Sequence, residues 1–484
     1  MLFRSNRRVL EPHLNDAKKP LSLAFAVPDH PWVDGNDGAA VRIAMTVGVA
    51  GDQPGQLRQV VKEVASENRE AREVQLSQRP GKVFADLTIG ADVASAQSLQ
   101  SNGSISSPGV KLHGAGFIVK PEEAETLGLG ELKGLEEVIR DYRNGRDLTQ
   151  KPRGVKVIDL FGLKAGDVRE QFPTVYQWVL ERVKPERDAK AHTKDGAGYA
   201  KLWWQFGKPR QELRKMLDGL PRYIATVETT KHRLFTFLSA DILPDNMLVN
   251  IAVDNPSVLG MLSSRMHIHW ALAVGGTLED RPRYNKTRCF ETFPFPVLDT
   301  EQAAKIGSLA ERIDTHRKRQ QAEHASLTLT GMYNILEKLR AGEELTAKEK
   351  TTHQEGLVSV LRELHDDLDR AVFEAYGWSD LADKLVGHPG ATTPLPDKSA
   401  DQAEAEEELL MRLVELNKQR AAEESRGIVR WLRPEYQAPD AVQAEVDIAP
   451  KAVAAKTEAS TSKGKATFPK AIPDQLRVLR EALA

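Results

Sequence analysis

Two short apolar runs near the start, "PLSLAFAV" and "AAVRIAMTVGVA", are bounded by Pro, Gly and Asp, the pattern of buried strands in a sheet. Between them "PDHPWVDGNDG" is dense in turn residues. The pair looks like the closing strands of a larger α/β sheet, and few residues precede it. From about residue 109 to 300 the pattern is mixed. "EEAETLGLGELKGLEEVIRDY", "FPTVYQWVLERV" and "PRQELRKMLDGL" carry a helical period, whereas "GVKVIDLFGL", "RYIATVET" and "RLFTFLSA" read as strands. Beyond 300 the chain turns helical. Ile306, Leu309, Ala310 and Ile313 mark one apolar face, and Leu357, Leu361, Leu364, Leu368 and Val372 another; both are core seams rather than cofactor boxes.

These patterns give a fold class of α/β and α+β in five parts. Residues 1–108 form an incomplete α/β sheet, 109–300 a mixed α/β domain and 301–437 a helical domain. A flexible Ala/Lys/Ser-rich linker over 438–470 and a short terminal helix over 471–484 follow. Composition narrows the partners. With 40% apolar and 28% charged residues the chain is of the soluble globular kind, and a formal charge of −2 offers no global attraction to nucleic acid, so any anion site must be local. Cys289, the single cysteine, excludes an internal disulfide and a cysteine-based metal cluster, and is expected to be a small, partly buried strand residue. No apolar run has the roughly 18 to 20 residues of a membrane span, and "MLFRSNRRVLEP" has no signal-peptide core, so a bacterial cytoplasmic location is expected.

Local basic stretches carry the candidate chemistry. Residues 182–215 hold ten Lys/Arg against four acids, with Tyr199, Trp203, Trp204 and Phe206 between them. Exposed rings there could stack on bases, but core packing is the favoured reading of Trp203 and Trp204. In "RYIATVETTKHRLF", Thr226, Thr229, Thr230, Lys231, His232 and Arg233 suit a phosphate clamp at a strand end. "GGTLEDRPRYNKTRCFETFPFP" crowds Arg281, Arg283, Lys286 and Arg288 together and then runs into rigid Phe-Pro turns. Glu279 and Arg281, two apart, would point the same way on a strand, where Glu suits cytosine and Arg suits guanine. The alternative is a solvated hairpin with intramolecular Glu279–Arg281 or Asp280–Arg283 pairs. Asp159 in "VIDLFGLKAGD" is assigned to structure, because the following glycines do not make a nucleotide turn. "GLGELKG" fails as a dinucleotide loop, since no strand precedes it. "MHIHW" places His267 and His269 on one face of an expected strand; without a third ligand nearby, structural or base-contacting roles are favoured over metal binding.

Five segments carry a resemblance: "GVKLHGAGFIV", "YRNGRDLTQKPRGVKVIDLFGL", "RYIATVETTKHRLF", "LGMLSSRMHIHWALAVGGTLEDRPRYNKTRCFETFPFP" and "LNKQRAAEESRGIVRWLRPEYQ". Together they resemble the MmeI-like class of adenine-specific DNA methyltransferases of bacterial restriction-modification and phage defence, from about residue 10 to 437. The resemblance implies an upstream domain that binds S-adenosylmethionine and methylates a flipped adenine, a target-recognition domain over 109–300, and a helical part packed behind it. The family's catalytic loop contains two adjacent prolines and an aromatic, and this chain has no Pro-Pro dipeptide. Its donor-binding Asp-Pro-x-x-Gly-x-Gly turn is also absent. The expectation is therefore a C-terminal portion that reads double-stranded DNA but binds no methyl donor and has no catalytic residue or metal. A separately encoded N-terminal half is the expected partner. The alternatives are a stand-alone DNA-binding protein, the remnant of an interrupted gene, or a helical interaction protein. Glu279 and Arg281 are the expected base readers. Arg283, Tyr284, Asn285, Lys286, Arg288, Thr229, Lys231, His232, Arg233, Arg265 and His267 are the expected phosphate or groove contacts.

Overall fold

Strand β1 (Leu21–Trp32) shows how the first sheet is built. It pairs antiparallel with β2 (Val41–Ala50) and parallel with β3 (Gly55–Ala65), and β3 pairs antiparallel with β4 (Arg72–Gly81), giving the order β2-β1-β3-β4. Leu23, Ala26 and Leu57 pack with Val83 and Leu87 on one face. β1 is thus buried as expected, but β2 lies at the edge and its residues are largely exposed, Val47 at 53%. A computed structural model describes residues 4–32, 41–65, 72–278, 281–395 and 397–440. Met1–Gln437 form one compact unit; the second, Ala438–Ala484, which contains the expected linker and terminal helix, lies outside the described residues beyond 440.

Two further four-stranded sheets follow. Their strands are β5 (Ser106–Pro108), β6 (Ile118–Val119), β7 (Ile139–Arg143), β8 (Lys156–Ile158), β9 (Arg222–Val227), β10 (Thr236–Ser239), β11 (Leu243–Pro244) and β12 (Leu248–Ile251). One sheet has the order β10-β9-β12-β5, the other β11-β7-β8-β6. The alternating pattern of "RYIATVET" and "RLFTFLSA" is realised as the antiparallel pair β9–β10, with Ala225 opposite Thr236. The segment 122–142 is not the continuous helix its period suggested. Gly128, Gly130 and Gly134 all have φ near +90°, which breaks it into helices Pro121–Thr126 and Leu135–Val138 before β7 begins. "MHIHW" also differs: it lies in the helix Arg265–Gly275, not on a strand. That helix is buried nearly all round, and a continuous apolar run does not distinguish a buried helix from a strand by period.

The helical region and the β10-β9-β12-β5 sheet share one core. A single cluster runs from Ile224, Phe235 and Ile251 through Trp270 and Phe293 to Ile306, Leu361 and Leu409. Both expected seams lie in it, except that Leu357 is the exposed N-cap of helix Val358–Tyr376. Gly260 sets the closest approach, since a Cβ there would stand 2.6 Å from Ile306 Cγ2. Polar clamps fix the docking. Asn417, on the helix Ala400–Ser425, accepts from Gln97 N (2.9 Å) and donates to Gln97 O (2.9 Å) and Thr292 O (2.7 Å). Glu424 of the same helix accepts from Gln100 N and Ser101 N. Trp203 and Phe206 belong to a second core behind the β11-β7-β8-β6 sheet, with Val168, Val175 and Val179.

Asn417 is fully buried and serves three backbone groups, so Asn417→Ala leaves all three without partners. The expected cost is about 3 kcal/mol, read as a lower urea midpoint with an unchanged slope; a loss below about 0.5 kcal/mol would show that the clamp does not hold the helix.

Candidate nucleic-acid interface

The helix Arg265–Gly275 ends at Gly276, whose φ of +76° turns the chain outward. β13 (Thr277–Leu278) then pairs antiparallel with β14 (Arg281–Pro282), with Leu278 opposite Arg281. The hairpin is real, and Arg281 is exposed on it. Glu279 lies outside the described residues. Gly275 is required at the helix end, because a Cβ would meet Arg283 O at 2.2 Å.

The hairpin then lies against the segment after β9. Arg283 bridges Thr229 in antiparallel register, Tyr284 N donates to Glu228 O (2.7 Å), and Thr230 N donates to Pro282 O (3.4 Å). Two basic stretches some fifty residues apart in sequence thus become one surface. Arg283 contacts Glu228 Oε1 through Nε (2.7 Å) and Nη2 (2.5 Å), and Lys286 pairs with Glu291 (2.5 Å). Surface pairs of this kind are worth only about 0–1 kcal/mol, so a polyanion can compete for these cations. Arg288 is half-buried, and exposed Lys231 donates to Asn334 (2.6 Å). Thr229 is half-buried, but its Oγ1 is enclosed with no hydrogen-bond partner. Asn285 caps the following turn, its Oδ1 accepting from Thr287 N and Oγ1. Arg283 pairs with Glu228; the alternative pairs Glu279–Arg281 and Asp280–Arg283 involve residues outside the described ones.

Five expected contacts with DNA are corrected, because burial removes them from any duplex. Arg233 is 1% exposed; its guanidinium donates to Thr226 Oγ1 (3.1 Å), Val227 O, Glu228 O (3.4 Å) and Pro282 O (3.1 Å), so it ties β9 to the hairpin. Burial lowers its pKa to about 10, which leaves it charged at neutral pH. Tyr284 packs below it, and its hydroxyl meets His267 Nε2 at 3.0 Å. His267 sits among Phe235, Tyr284 and Phe293, and burial, then Arg233, holds its pKa down at about 3. His232 is buried between Thr392 and Asn334. Arg265 is buried against the helical region, with Asp369 on its backbone N–H and His388 O on its guanidinium. These residues are frame rather than contact surface.

Other readings resolve similarly. Cys289 is fully buried in a π-type turn (Lys286–Phe290), not partly buried on a strand, and burial pushes its thiol up to about 11 despite the neighbouring Arg233 and Arg288. Phe290 and Phe293 anchor the exit from the hairpin in the main core, with Phe295 against both rings. The rings of 182–215 are not a stacking platform. Trp203 and Phe206 are core, Trp204 donates to Leu163 O (2.9 Å), and Tyr199 stacks on His113. Asp159 is structural, gripped by both Nη atoms of Arg214 at 2.7 and 3.0 Å.

One feature of this surface gave no signal in the local pattern: its continuation past Glu228. Glu228 N donates to Met247 O (2.8 Å), and Asp245 N donates to Arg143 O (2.8 Å), so the ends of β7, β9 and β11 and the start of β12 form one rim. The MmeI target recognition domain family matches residues 94–297, the span that contains this rim and the hairpin. The resemblance of the chain to MmeI-like proteins is thereby borne out. A structure of the Type IIL restriction-modification enzyme MmeI in complex with DNA has a similar fold, with a TM-score of 0.55 and 20% identity, over 83% of this chain and 46% of that one. DNA methyltransferase A of Bacillus subtilis (strain 168) is 35% identical over 96 residues, 20% of this chain and 10% of its own length. The chain thus spans less than half of the relatives it matches. Among the described residues no helix is long and apolar enough to cross a membrane.

The buried histidines of the MmeI-type domain make its stability acid-sensitive. His267 and His269 have folded pKa values of about 3 and about 4, below the usual 6.5, with burial as the largest cause. A depressed pKa contributes stability that is present above the unfolded value and lost as pH falls toward the folded one. His267→Phe should therefore reduce the fall in stability between about pH 6 and pH 4 by roughly 1.4 kcal/mol per pH unit. Asp369, raised to about 6 by burial, contributes with the opposite sign in both proteins and cancels in the comparison. Urea titrations over this range check it; parallel curves would place the acid sensitivity elsewhere.

Proposed function

We propose that this chain recognises a DNA sequence as the target-reading part of an MmeI-like adenine methyltransferase, with methyl transfer carried out by a catalytic part outside these residues. The observation that supports it most is the exposed cationic hairpin, tied by buried Arg233 to a rigid sheet within the matched recognition domain. Arg281 is the proposed reader of guanine, with Glu279 beside it in sequence as the acceptor for a cytosine amino group. Arg283, Lys286, Arg288 and Lys231 are the proposed backbone contacts, and they orient the duplex without reading it; Thr229, whose hydroxyl is enclosed, is not among them. S-adenosylmethionine is proposed to bind only to the catalytic part, because the Pro-Pro-aromatic and Asp-Pro-x-x-Gly-x-Gly motifs are not in this sequence. That part is proposed to be a separate polypeptide acting in the cytoplasm.

The purified chain should enrich a defined sequence from a pool of random duplexes, with affinity that falls linearly in log–log salt dependence. Glu279→Ala with Arg281→Ala should lose preference at the contacted base pairs, each contact being worth roughly 1–3 kcal/mol of discrimination. Binding to no duplex, or binding indifferent to salt, would overturn the recognition role. Transfer of a methyl group from S-adenosylmethionine to DNA by the chain alone would overturn the division of labour. If adding the catalytic part restores no transfer, a stand-alone DNA-binding protein is the remaining reading.

A further inference from the structure

The stretch "YRNGRDLTQKPRG" (142–154) leaves β7 beside the hairpin, and its chemistry has no part in the contacts described so far. It folds as a stiff turn. Asn144 Oδ1 accepts from Arg146 N (3.0 Å) and Asp147 N (3.3 Å), and the buried Asp147 carboxylate accepts from Asn144 N (2.8 Å). Arg153 closes the turn onto Asp147 through Nε (2.9 Å), Nη2 (2.8 Å) and its backbone N–H (2.9 Å). The far end is braced on the helical region, where Thr330 Oγ1 donates to Thr149 O (3.0 Å) and Gln321 Nε2 to Gln150 O (2.5 Å).

One acid and one cation of this turn therefore satisfy each other, which leaves a surplus of positive charge. Among the described residues no carboxylate pairs with Arg143, Arg146 or Lys151. The Arg146 guanidinium is exposed, Arg143 Nη1 donates only to its neighbour Tyr142 O (3.1 Å), and Lys151 Nζ donates only to Ala325 O (3.3 Å). The acids nearby are already engaged: Asp245 by Tyr142 Oη (2.6 Å) and Met247 N (2.9 Å), Glu228 by Arg283. The position is also defined. A Cβ on Gly145 would stand 3.0 Å from Val227, the residue before Glu228, so the turn rests directly on the rim that carries the hairpin. A rigid surface with unpaired cations beside a sequence-reading hairpin fits the sugar–phosphate backbone of the same duplex, since a fixed turn loses little entropy on binding.

We propose that the turn 143–151 is a second clamp on the duplex, in which Arg143 and Arg146, flanked by Lys151, hold backbone phosphates next to the stretch read by the hairpin, with no part in choosing the bases. The inference rests on the recognition role proposed above. Arg143→Ala with Arg146→Ala should weaken binding of the full chain to a random-sequence duplex and flatten the log–log salt slope by about two, roughly one for each phosphate no longer neutralised. The sequences enriched from a random duplex pool should stay the same. Arg146→Lys should keep most of the slope, because a point charge still neutralises a phosphate. An unchanged slope in the double variant, with wild-type binding intact, overturns the clamp and leaves the recognition role standing. A changed set of enriched sequences overturns it too, by showing that the turn reads bases. If the wild-type chain binds no duplex in a salt-dependent way, the recognition role fails first and the clamp falls with it.

Discussion

The guanidinium of Arg233 is where the recognition sheet, the hairpin and the helical region meet. Its donors reach Thr226, Val227 and Glu228 on one side and Pro282 on the other, and its backbone N–H donates to Thr392 O (2.8 Å) beyond the long helices. Among the described residues no carboxylate neutralises it, so carbonyl dipoles and the Tyr284 ring 5.0 Å away offset its desolvation. An isolated charge without such compensation costs many kcal/mol in a protein interior. The site therefore admits little freedom. The carbonyls of both segments must converge on one point, and that convergence fixes the hairpin relative to β9. The adjacent buried His267, Tyr284 and Phe293 fill the space below it; burial keeps the imidazole and the phenol neutral, and for His267 repulsion by Arg233 adds to that effect.

This frame explains why cations at similar sequence positions have different fates. Lys231, Arg281 and Arg283 lie at the surface, whereas Arg233 and Arg265 lie in the interior. The interior pair set the backbone, and the surface set faces solvent on a scaffold they do not themselves support. Among the described residues β13 and β14 share two residue pairs, so Arg281 sits on a short ribbon. A substitution there changes surface chemistry while the fold rests on Arg233 and Asn417. The side chains that hold the fold and the cations at the surface are thus different residues.

Much of the architecture was legible in the sequence for physical reasons. The seams at Ile306–Ile313 and Leu361–Val372 directly reflect one buried helix face, whereas β9 is buried at every position from Tyr223 to Val227 and was legible as a strand through its β-branched and aromatic residues. The Phe-Pro exit was legible because prolines limit the backbone and phenylalanines seek a core. Other elements were not legible. A helix buried nearly all round, such as Arg265–Gly275, has no broad polar face to display its period, so "MHIHW" read as a strand. Arg233, Arg265 and His267 were read as DNA contacts because composition alone cannot tell a buried cation served by carbonyls from one that reaches solvent. The pairing of Thr229 with Arg283 joins residues distant in sequence, and no local pattern encodes such a contact.

The rim that joins Arg143 to Tyr284 follows from strand direction. β7 and β11 run parallel, and β12 runs antiparallel to β9, so the ends of β7, β9 and β11 and the start of β12 fall on the same side. Loops leaving that side must be neighbours whatever their sequences. Each can then carry different chemistry: cations on the hairpin, an exposed Met247 between, and a clasped basic turn at Asn144–Arg153. A duplex laid along such a rim meets several loops at once, each held by its own internal hydrogen bonds. In the proposed role, a turn already held by internal hydrogen bonds, such as Asn144–Arg153, would leave few additional side chains to be ordered. The binding free energy then depends mainly on which charges and donors each loop presents, and less on the cost of assembling them.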